Sequence, residues 1–357
     1  MEIYWYLIIA AFLTVFFILD GYDFGVGIIH LFMAKGEKDR EVIAKSAGLY
    51  WDSNEVWLVA AGGMLFMAFP ILYASAFSGF YLPLIIVLWL IIFRAIGLEL
   101  RNQFDFPIWK DIWDVAFGVS SLLLALFFGI ALGNIVRGVN LGGVTNGVSL
   151  HEAHYFFLPL WNESFSPTVI DVGVIDWFTI IIGLIAVVVL AMHGAAWIIL
   201  KTNSSINEKL KNVVLKLDIA LIVLTIFSLI VWLYVKPDAL DNFFKRPYLI
   251  LFPIVYFIGV FGLLLSRKIT DKRRILFTTL VIIGGISSSL ASMFPVIIPS
   301  TNTINPDLTL YNTAATKYGL SVASVWALIA IVLIIIYAIT QKRFMKGKID
   351  DMMDYGH

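Results

Sequence analysis

The amino-acid sequence predicts an all-α membrane protein, a bundle of nine transmembrane helices that forms a single integral membrane domain over residues 1–357. Three observations predict this fold class. Of the 357 residues, 60% are hydrophobic and only 14% are charged, whereas soluble domains carry about 25% charged residues. Several apolar stretches exceed the about 18 residues that indicate a membrane span. Lysine and arginine are spread unevenly over the connections, as in membrane proteins of fixed orientation.

Nine apolar stretches supply the predicted helices. The first one lacks the positively charged n-region and the small-residue cleavage site of a signal peptide, so we expect it to remain as the first helix. Residues 47–100 form one long stretch that Pro70 and the Ser–Gly pair of FSGFY (residues 77–81) divide in two. The predicted helices are 3–32, 47–70, 79–100, 112–136, 173–200, 218–235, 247–266, 275–298 and 319–341.

The charges of the connections predict the orientation. Alternate connections, beginning after the first helix, carry nineteen lysines and arginines, and the opposite set carries five. Positive charges remain on the cytoplasmic side of a membrane. The sequence therefore predicts an outside N-terminus, a cytoplasmic C-terminus and two long polar outer loops, at about 137–172 and 299–318, that cap the bundle.

The inventory of ligating residues argues against a redox or metal centre in this chain. The sequence has no cysteine, which excludes disulfides, thiolate metal sites, iron–sulfur clusters and covalently attached haem. Among the five histidines, His30 and His193 lie in or near predicted helices, where a packing role is more usual than haem ligation. His151 and His154, in HEAH, do not match H-E-x-x-H, so we predict no metal site. The zero net charge and the absence of a basic patch give no indication of nucleic-acid binding.

Acidic residues inside the first two helices are the main functional candidates, because ionisable residues are costly in a membrane. LDGYDFGVG places Asp20 and Asp23 three residues apart, and WDSNEVW places Asp52 and Glu55 at the same spacing. Residues three apart share a helical face. At 1.5 Å per residue, Asp23 and Glu55 lie roughly 13 Å and 12 Å from the cytoplasmic ends of their helices. The pairs are therefore expected to meet, and carboxylates open to the cytoplasm predict a proton-input path.

The third predicted helix adds Glu99 to this proton path and Arg94 as a residue that lines the site. Trp51, Asn54 and Trp57 are the other lining candidates, since they belong to the same WDSNEVW motif. A purely structural role, in which the acids pair with Arg94 or cap helix ends, remains open from these residues alone.

Glycines follow the aspartates of the first helix. Gly21, Gly25 and Gly27 form a pattern of small residues that lets a second helix approach closely. Their position within a membrane span, rather than after a strand, argues against a nucleotide-binding loop.

At these motifs the chain resembles subunit II of the cytochrome bd quinol oxidases. The family signature D-G-F-D-x-G-V-G corresponds to DGYDFGVG, and W-D-G-N-Q-V-W followed by A-G-G corresponds to WDSNEVWLVAAGG. The similarity continues through YASAFSGFY, IFRAIGLELR and IWDVAFGVSS and returns in MFPVIIPSTNTINPDLTLYNTAAT, so it covers essentially the whole chain. Ser53 departs from the usual glycine, and Glu55 departs from the common glutamine.

The resemblance implies a subunit of a terminal oxidase that oxidises membrane quinol and reduces dioxygen to water. The heterodimer partner, subunit I, would hold two b haems and one d haem and the quinol-oxidising site, so this chain would contain no catalytic residue and would not act alone. Subunit II would scaffold subunit I and share the cytoplasmic proton route. By motif, Asp52 is the first candidate for that route, followed by Asp23, Asp20 and Glu55.

Further partners follow from the same resemblance. Some members of the family bind a structural quinone in subunit II, and small single-helix accessory subunits can complete the complex. The implied location is the plasma membrane of a bacterium or archaeon, in which the protein is multi-pass. The motifs do not distinguish ubiquinone from menaquinone.

Two alternatives of other classes are testable. A proton- or cation-coupled secondary transporter would use the same buried acids, but such proteins often carry related broken helices in both halves, and here the charges cluster in the first third. A purely structural assembly subunit would lose assembly, rather than turnover alone, when Asp52 is neutralised.

Overall fold

The computed structural model describes residues 1–48, 51–344 and 347–349, and helices make up most of this part of the chain. Two short hairpins, β1 (Val144–Thr145) with β2 (Val148–Ser149) and β3 (Val296–Ile298) with β4 (Leu308–Thr309), lie in the connections. The helices are α1 (Glu2–Met33), α2 (Glu37–Gly48), α3 (Trp51–Ala68), α4 (Pro70–Gly79), α5 (Tyr81–Leu100), α6 (Pro107–Arg137), α7 (Trp177–Lys201), α8 (Asn207–Val235), α9 (Asp241–Lys245), α10 (Leu251–Leu263), α11 (Asp271–Met293) and α12 (Lys317–Phe344).

The predicted all-α membrane fold is confirmed, but the number of spans differs from nine. Among the described residues, seven helices are long and apolar enough to cross a membrane, or eight if α3 and α4 form one bent span. The predicted helix 247–266 corresponds to the shorter apolar segment Pro247–Leu263. At 1.5 Å per residue this segment is about 25 Å long, less than the about 30 Å of a hydrocarbon core. Residues 49 and 50 of the predicted helix 47–70, and Lys346 and His357 of the tail, lie outside the described residues.

A sharp bend interrupts the second predicted helix. α3 ends at Ala68, Phe69 has non-helical φ and ψ of −134° and 65°, and Pro70 begins α4. Proline lacks the N–H that a helix interior needs but suits a first helical position. The axes of α3 and α4 differ by 120°. The chain then enters α5 after Phe80, so α4 is an additional element that the apolar pattern did not predict.

Other boundaries also differ from the predictions, and the largest difference is at α8, which begins at Asn207 instead of residue 218. α2 occupies part of the first predicted cytoplasmic connection, where a polar twelve-residue helix gives no apolar signal. α11 ends at Met293 instead of residue 298, because Phe294 precedes Pro295 and proline disfavours helical geometry in the residue before it. The residues that follow, Val296–Ile298, pair with β4.

α1 lies at the centre of the bundle, against α3, α6 and α7. All of its residues from Asp20 to His30 are buried. A Cβ atom built on Gly25 would collide with the backbone of Gly194 in α7, and one on Gly27 would collide with Ser121 in α6. The predicted close approach of a second helix to these glycines is confirmed, and it places the aspartates of α1 between three neighbouring helices.

The two predicted outer loops form one cap. Val139 and Ser300 form a parallel bridge between them. The Asn302 amide nitrogen donates to Asn140 Oδ1 at 2.9 Å and to the carbonyl of Leu141 at 2.8 Å. Segments about 160 residues apart in sequence therefore close the same end of the bundle.

Candidate functional site

A buried arginine joins three helices at the centre of the bundle. Arg94 of α5 is 0% exposed. Its Nη1 donates to Asp20 Oδ1 of α1 at 3.0 Å, and its Nη2 donates to Glu55 Oε1 of α3. The guanidinium carbon also lies 4.9 Å from the ring centre of Phe24. Buried charges are tolerated when they are paired, so Arg94 allows two carboxylates from different helices to remain inside the protein.

Asp23 lies one helical turn beyond Asp20 and is fully buried. The Asn54 side-chain nitrogen donates to Asp23 Oδ2 at 2.7 Å and to the Tyr22 hydroxyl oxygen at 2.8 Å. The other oxygen, Asp23 Oδ1, has no hydrogen-bond partner among the described residues. The Tyr22 ring stacks on Trp197 of α7 at 3.9 Å between centroids. Residues of α3 and α7, two of the three helices that surround α1, therefore contact Asp23 and its neighbour Tyr22.

The cluster contains more acidic groups than basic groups. Asp20, Asp23 and Glu55 supply three carboxyl groups, and Arg94 is the guanidinium that pairs with two of them. The cluster therefore holds more carboxyl groups than cations, and negative charges that share one site disfavour one another.

The cluster extends toward the surface at one end of the bundle. The Glu55 side chain is 26% exposed, whereas Asp20 and Arg94 are almost completely buried. Asp52, in the first turn of α3, is exposed. Glu99 is also exposed and accepts a hydrogen bond from Trp51 Nε1 at 3.1 Å. Carboxyl groups thus occur from the surface to the centre of the bundle at this end.

The structure brings together most, but not all, of the residues that the sequence singled out. Asp20, Asp23, Asn54, Glu55 and Arg94 form one contiguous network. The remaining candidates stand apart from it: Asp52 faces outward, Glu99 and Trp51 bond to each other, and the Trp57 ring lies 5.1 Å from that of Phe12.

Asp114 belongs to a second charged cluster, which sequence reasoning missed. Its Oδ1 lies 3.1 Å from His30 Nε2 and 2.6 Å from Arg101 Nε. Arg40 reaches Asp114 at 3.3 Å and Asp111 at 2.5 Å, and its hydrogen bond to Asp111 raises the pKa of the Arg40 guanidinium. This cluster joins α1, α2, α5 and α6. The signal was available, since Asp114 is an acidic residue inside the predicted helix 112–136.

Asp218 of α8 is another acidic residue outside the sequence-based candidates. It is fully buried, and neither carboxyl oxygen has a hydrogen-bond partner among the described residues. The predicted helix 218–235 begins at this residue, whereas α8 begins eleven residues earlier at Asn207, so Asp218 lies inside the helix.

His193 occupies a structural position between three helices. Its Nε2 lies 2.9 Å from the carbonyl oxygen of Ile18, and its Nδ1 lies 2.8 Å from the hydroxyl of Thr278 in α11. A carbonyl only accepts hydrogen bonds, so Nε2 carries the proton. Both ring nitrogens are engaged within the protein, as in a packing role. In the part of the chain that the structure describes, no three His, Cys, Asp or Glu side chains are grouped to hold a metal ion.

The family model for cytochrome bd terminal oxidase subunit II matches residues 1–345 of the chain. The chain belongs to that family. The resemblance in the sequence motifs is thereby confirmed, and the protein is a multi-pass membrane subunit of a cytochrome bd oxidase complex, which implies subunit I as its partner.

Named relatives of subunit II align over nearly the whole chain. The probable cytochrome oxidase subunit 2 of Haemophilus influenzae is 28% identical, over 97% of this chain and 94% of the relative. Subunit 2 of the cytochrome bd-I ubiquinol oxidase of Escherichia coli K12 is 27% identical, over 93% and 91%. Subunit 2 of the cytochrome bd ubiquinol oxidase of Bacillus subtilis is 27% identical, over 91% and 89%.

A solved structure has the same fold. A chain of the bd oxidase from Geobacillus thermodenitrificans superposes with a TM-score of 0.66, over 96% of this chain and 97% of the other, at 12% sequence identity. At this identity the match concerns the fold alone.

Proposed function

We propose that this subunit II scaffolds a haem-bearing subunit I and delivers cytoplasmic protons to an oxidase that oxidises quinol and reduces dioxygen to water. The relatives from Escherichia coli and Bacillus subtilis are ubiquinol oxidase subunits by name. In this assignment two b haems and one d haem belong to subunit I, and this chain is not catalytic alone. The engaged ring nitrogens of His193 support the haem-free assignment.

The single observation that carries the proton-delivery proposal is the buried network of Asp20, Asp23, Glu55 and Arg94. Glu55 is the partly exposed member, and Arg94 pairs with both Glu55 and Asp20. A proton that enters at Glu55 would pass to Asp20 and then to Asp23, one helical turn away, while Arg94 positions the carboxyl groups and keeps its own protons. The exposed Asp52 and Glu99 belong at the entrance, where they would concentrate protons.

The direction of delivery depends on the proposed orientation. With the N-terminus outside and the C-terminus in the cytoplasm, the exposed ends of this network face the cytoplasm. The Trp51–Glu99 hydrogen bond supports the arrangement, since it holds the start of α3 and the end of α5 at the same end of the bundle.

The scaffold role is supported by the sparse packing of α12 within this chain. α12 packs on α3, and most of its apolar side chains are exposed, Trp326 at 67% among them. In the complex, part of this surface would pack against subunit I, and the rest would face lipid or small single-helix subunits. The chain would form one integral membrane domain whose partners bind at α12.

A cavity among α1, α3, α4, α5 and α6 suits part of a structural quinone. Its volume is about 270 Å³, and its lining is almost entirely apolar, with Tyr6 and Asn134 as polar members. Asn134 donates to the carbonyls of Ile130 and Val174, and the Tyr6 hydroxyl lies 3.5 Å from that of Leu290. Because these donors are engaged, the cavity fits an isoprenoid tail better than the ring carbonyls of a quinone.

The decisive experiment compares Asp23→Asn with the unmodified complex in haem content and in quinol-dependent oxygen uptake. Asparagine preserves the shape and the hydrogen bond to Asn54 but cannot carry the proton. We expect an unchanged visible haem spectrum and oxygen uptake reduced by about 100-fold, the lower range for a lost proton-transfer group. Asp52→Asn, at the entrance, should have a smaller effect.

Asp105→Asn serves as the matched control, because the Asp105 side chain is 96% exposed and pairs with Lys110. It should leave both readouts unchanged. Full uptake in Asp23→Asn with intact haems would place the proton route elsewhere. Lost haems would instead assign these acids to assembly.

A further inference from the structure

A second cavity lies in the other half of the bundle, enclosed by α6, α7, α8, α10 and α11. Its volume is about 410 Å³, larger than that of the cavity beside α1. Apolar side chains dominate the lining, which includes Ile182, Leu229, Phe243, Pro253, Phe257 and the backbone of Gly285.

The hydroxyl groups in this lining are largely satisfied within the protein. Those of Thr225 and Tyr256 bond to each other at 2.6 Å. Ser228 donates to the carbonyl of Thr225 at 2.9 Å, and Ser289 donates to that of Gly285 at 3.0 Å. Two polar groups of the lining, Ser288 Oγ and Trp232 Nε1, have no hydrogen-bond partner among the described residues. Apart from these two groups, the lining is suited to hydrocarbon.

The cavity lies close to the C-terminal end of α8. Its lining on this helix runs from Thr225 to Trp232, and α8 ends three residues later, at Val235. Seven helical residues span about 10 Å, about a third of a roughly 30 Å hydrocarbon core, so the cavity is deep enough for part of an acyl chain.

The connection between α8 and α10 forms the surface end of the cavity through Leu240 and Phe243. Three cations and two acids lie in this connection, which gives it a net positive charge. They are Lys236, Lys245 and Arg246, and Asp238 and Asp241.

Arg246 and Lys236 have no carboxylate partner among the described residues, and the Arg246 guanidinium carbon lies 5.2 Å from the ring centre of Phe294. Lys245 pairs with Asp241 at 3.1 Å. Arg246 Nη1 donates to Asn242 Oδ1 and to the carbonyl of Phe294, both at 3.1 Å, and these neutral groups leave its charge uncompensated by any described residue. An anionic group at the mouth of the cavity would supply that compensation.

We propose that this cavity binds one acyl chain of an anionic phospholipid, whose phosphate lies beside Arg246. The chain fills the apolar space down to the Thr225–Tyr256 pair, and the phosphate stays at the membrane surface. This assignment does not depend on the proton-delivery role, because no residue of the Arg94 network lines the cavity.

Gly285 offers a way to fill the cavity without breaking the fold. A Cβ atom built on Gly285 lies 3.7 Å from the Tyr256 ring, an ordinary contact distance. Leucine at this position extends into the space that the acyl chain would occupy, whereas alanine leaves most of that space free. We therefore compare Gly285→Leu with Gly285→Ala in the purified complex with subunit I, and count the retained phospholipids by mass spectrometry.

We expect Gly285→Leu to retain one phospholipid fewer per complex than the unmodified protein, and Gly285→Ala to retain the full number. Arg246→Gln should lower the retained phosphatidylglycerol about 10- to 150-fold, the range for losing one charge-assisted contact. Lys245→Gln, whose charge Asp241 already compensates, should not. An unchanged phospholipid count in Gly285→Leu would overturn the proposal, as would a quinone in place of the phospholipid.

A second measurement covers the case in which Gly285→Leu fails to assemble. Phosphatidylglycerol with a photoreactive group at the end of its acyl chain is added to the unmodified complex and crosslinked. Crosslinks to peptides of α8, α10 and α11 that contain Thr225, Tyr256 or Gly285 would support the proposal. Crosslinks confined to membrane-facing side chains such as Phe227 or Ile230 would contradict it.

Discussion

Arg94 supplies a positive charge that carboxylates from two helices share. Because it is completely buried, its removal would leave Asp20, Asp23 and Glu55 without a cation nearby. Removing one partner of a buried ion pair strongly destabilises a protein, because the remaining charge stays buried without compensation.

We predict that Arg94→Gln destabilises the complex by about 3–5 kcal/mol, the range for removing one member of a buried ion pair. The measurement is the thermal midpoint of haem loss from the purified complex. Arg94→Lys should have an intermediate midpoint, because one ammonium keeps the charge but lacks the planar fork that reaches two carboxylates. A midpoint of Arg94→Gln equal to that of the unmodified protein would show that the acids do not need this countercharge.

The sequence predicted which residues form the site, but not which face of each helix is turned toward α1. The sequence predicted that Glu55 and Asp23 lie at a similar depth in their helices. In the structure, Arg94 pairs with both Glu55 and Asp20, the neighbour of Asp23 on α1. The side chain that contacts Asp23 is Asn54, whereas Asp52 faces outward. Residues 52 and 54 differ by about 200° around a helix, and packing decides which of them faces α1. An apolar run without a clear hydrophobic face carries no signal for that rotation.

Among the elements, long apolar helices were predictable and short irregular ones were not. α1, α6 and α7 bury continuous apolar runs, which predict a span whatever the packing. α2 is polar and therefore gives no apolar signal. α4 results from the bend at Pro70. The sequence indicates where this bend lies, but not its angle of 120°. The segment Pro247–Leu263 shows that an apolar run can fall short of a full span.

The contact between α1 and α7 depends on two glycines, and we predict that Gly25→Ala disrupts it. The added methyl group would collide with the carbonyl of Leu190 and the backbone of Gly194. Since both obstacles are backbone, relaxation requires the helices to separate, at a cost of about 3 kcal/mol or more, the upper range for overpacking. The yield and thermal midpoint of the complex should both fall.

Gly62→Ala is the matched control, because a Cβ atom on Gly62 of α3 meets nothing within 4 Å. It should retain the unmodified midpoint or exceed it slightly, since alanine favours helix more than glycine does. Equal midpoints for Gly25→Ala and the unmodified complex would mean that α1 and α7 are free to shift.

For the whole molecule, the asymmetry of lysine and arginine predicts the orientation, and the cysteine-free sequence makes it directly testable. We predict that Glu152→Cys, in the first outer loop, reacts with a membrane-impermeant maleimide added to intact cells. Asp105→Cys, between α5 and α6, should react only after the membrane is made permeable. Both side chains are well exposed, so a difference in labelling reports the side of the membrane. The reverse pattern would invert the orientation and would point the proton entrance outward.

The shared cap of the two outer loops has a consequence for biosynthesis. Asn140 lies in a segment that is made after four of the long helices, whereas Asn302 follows α11, close to the end of the chain. Chains fold from the N-terminus as they are synthesised, so in the proposed orientation the Leu141 carbonyl must wait for its donors, the side chains of Asn302 and Asn305, until that segment has crossed the membrane. The closing of this cap is therefore a late event that reports the insertion of nearly every helix before it.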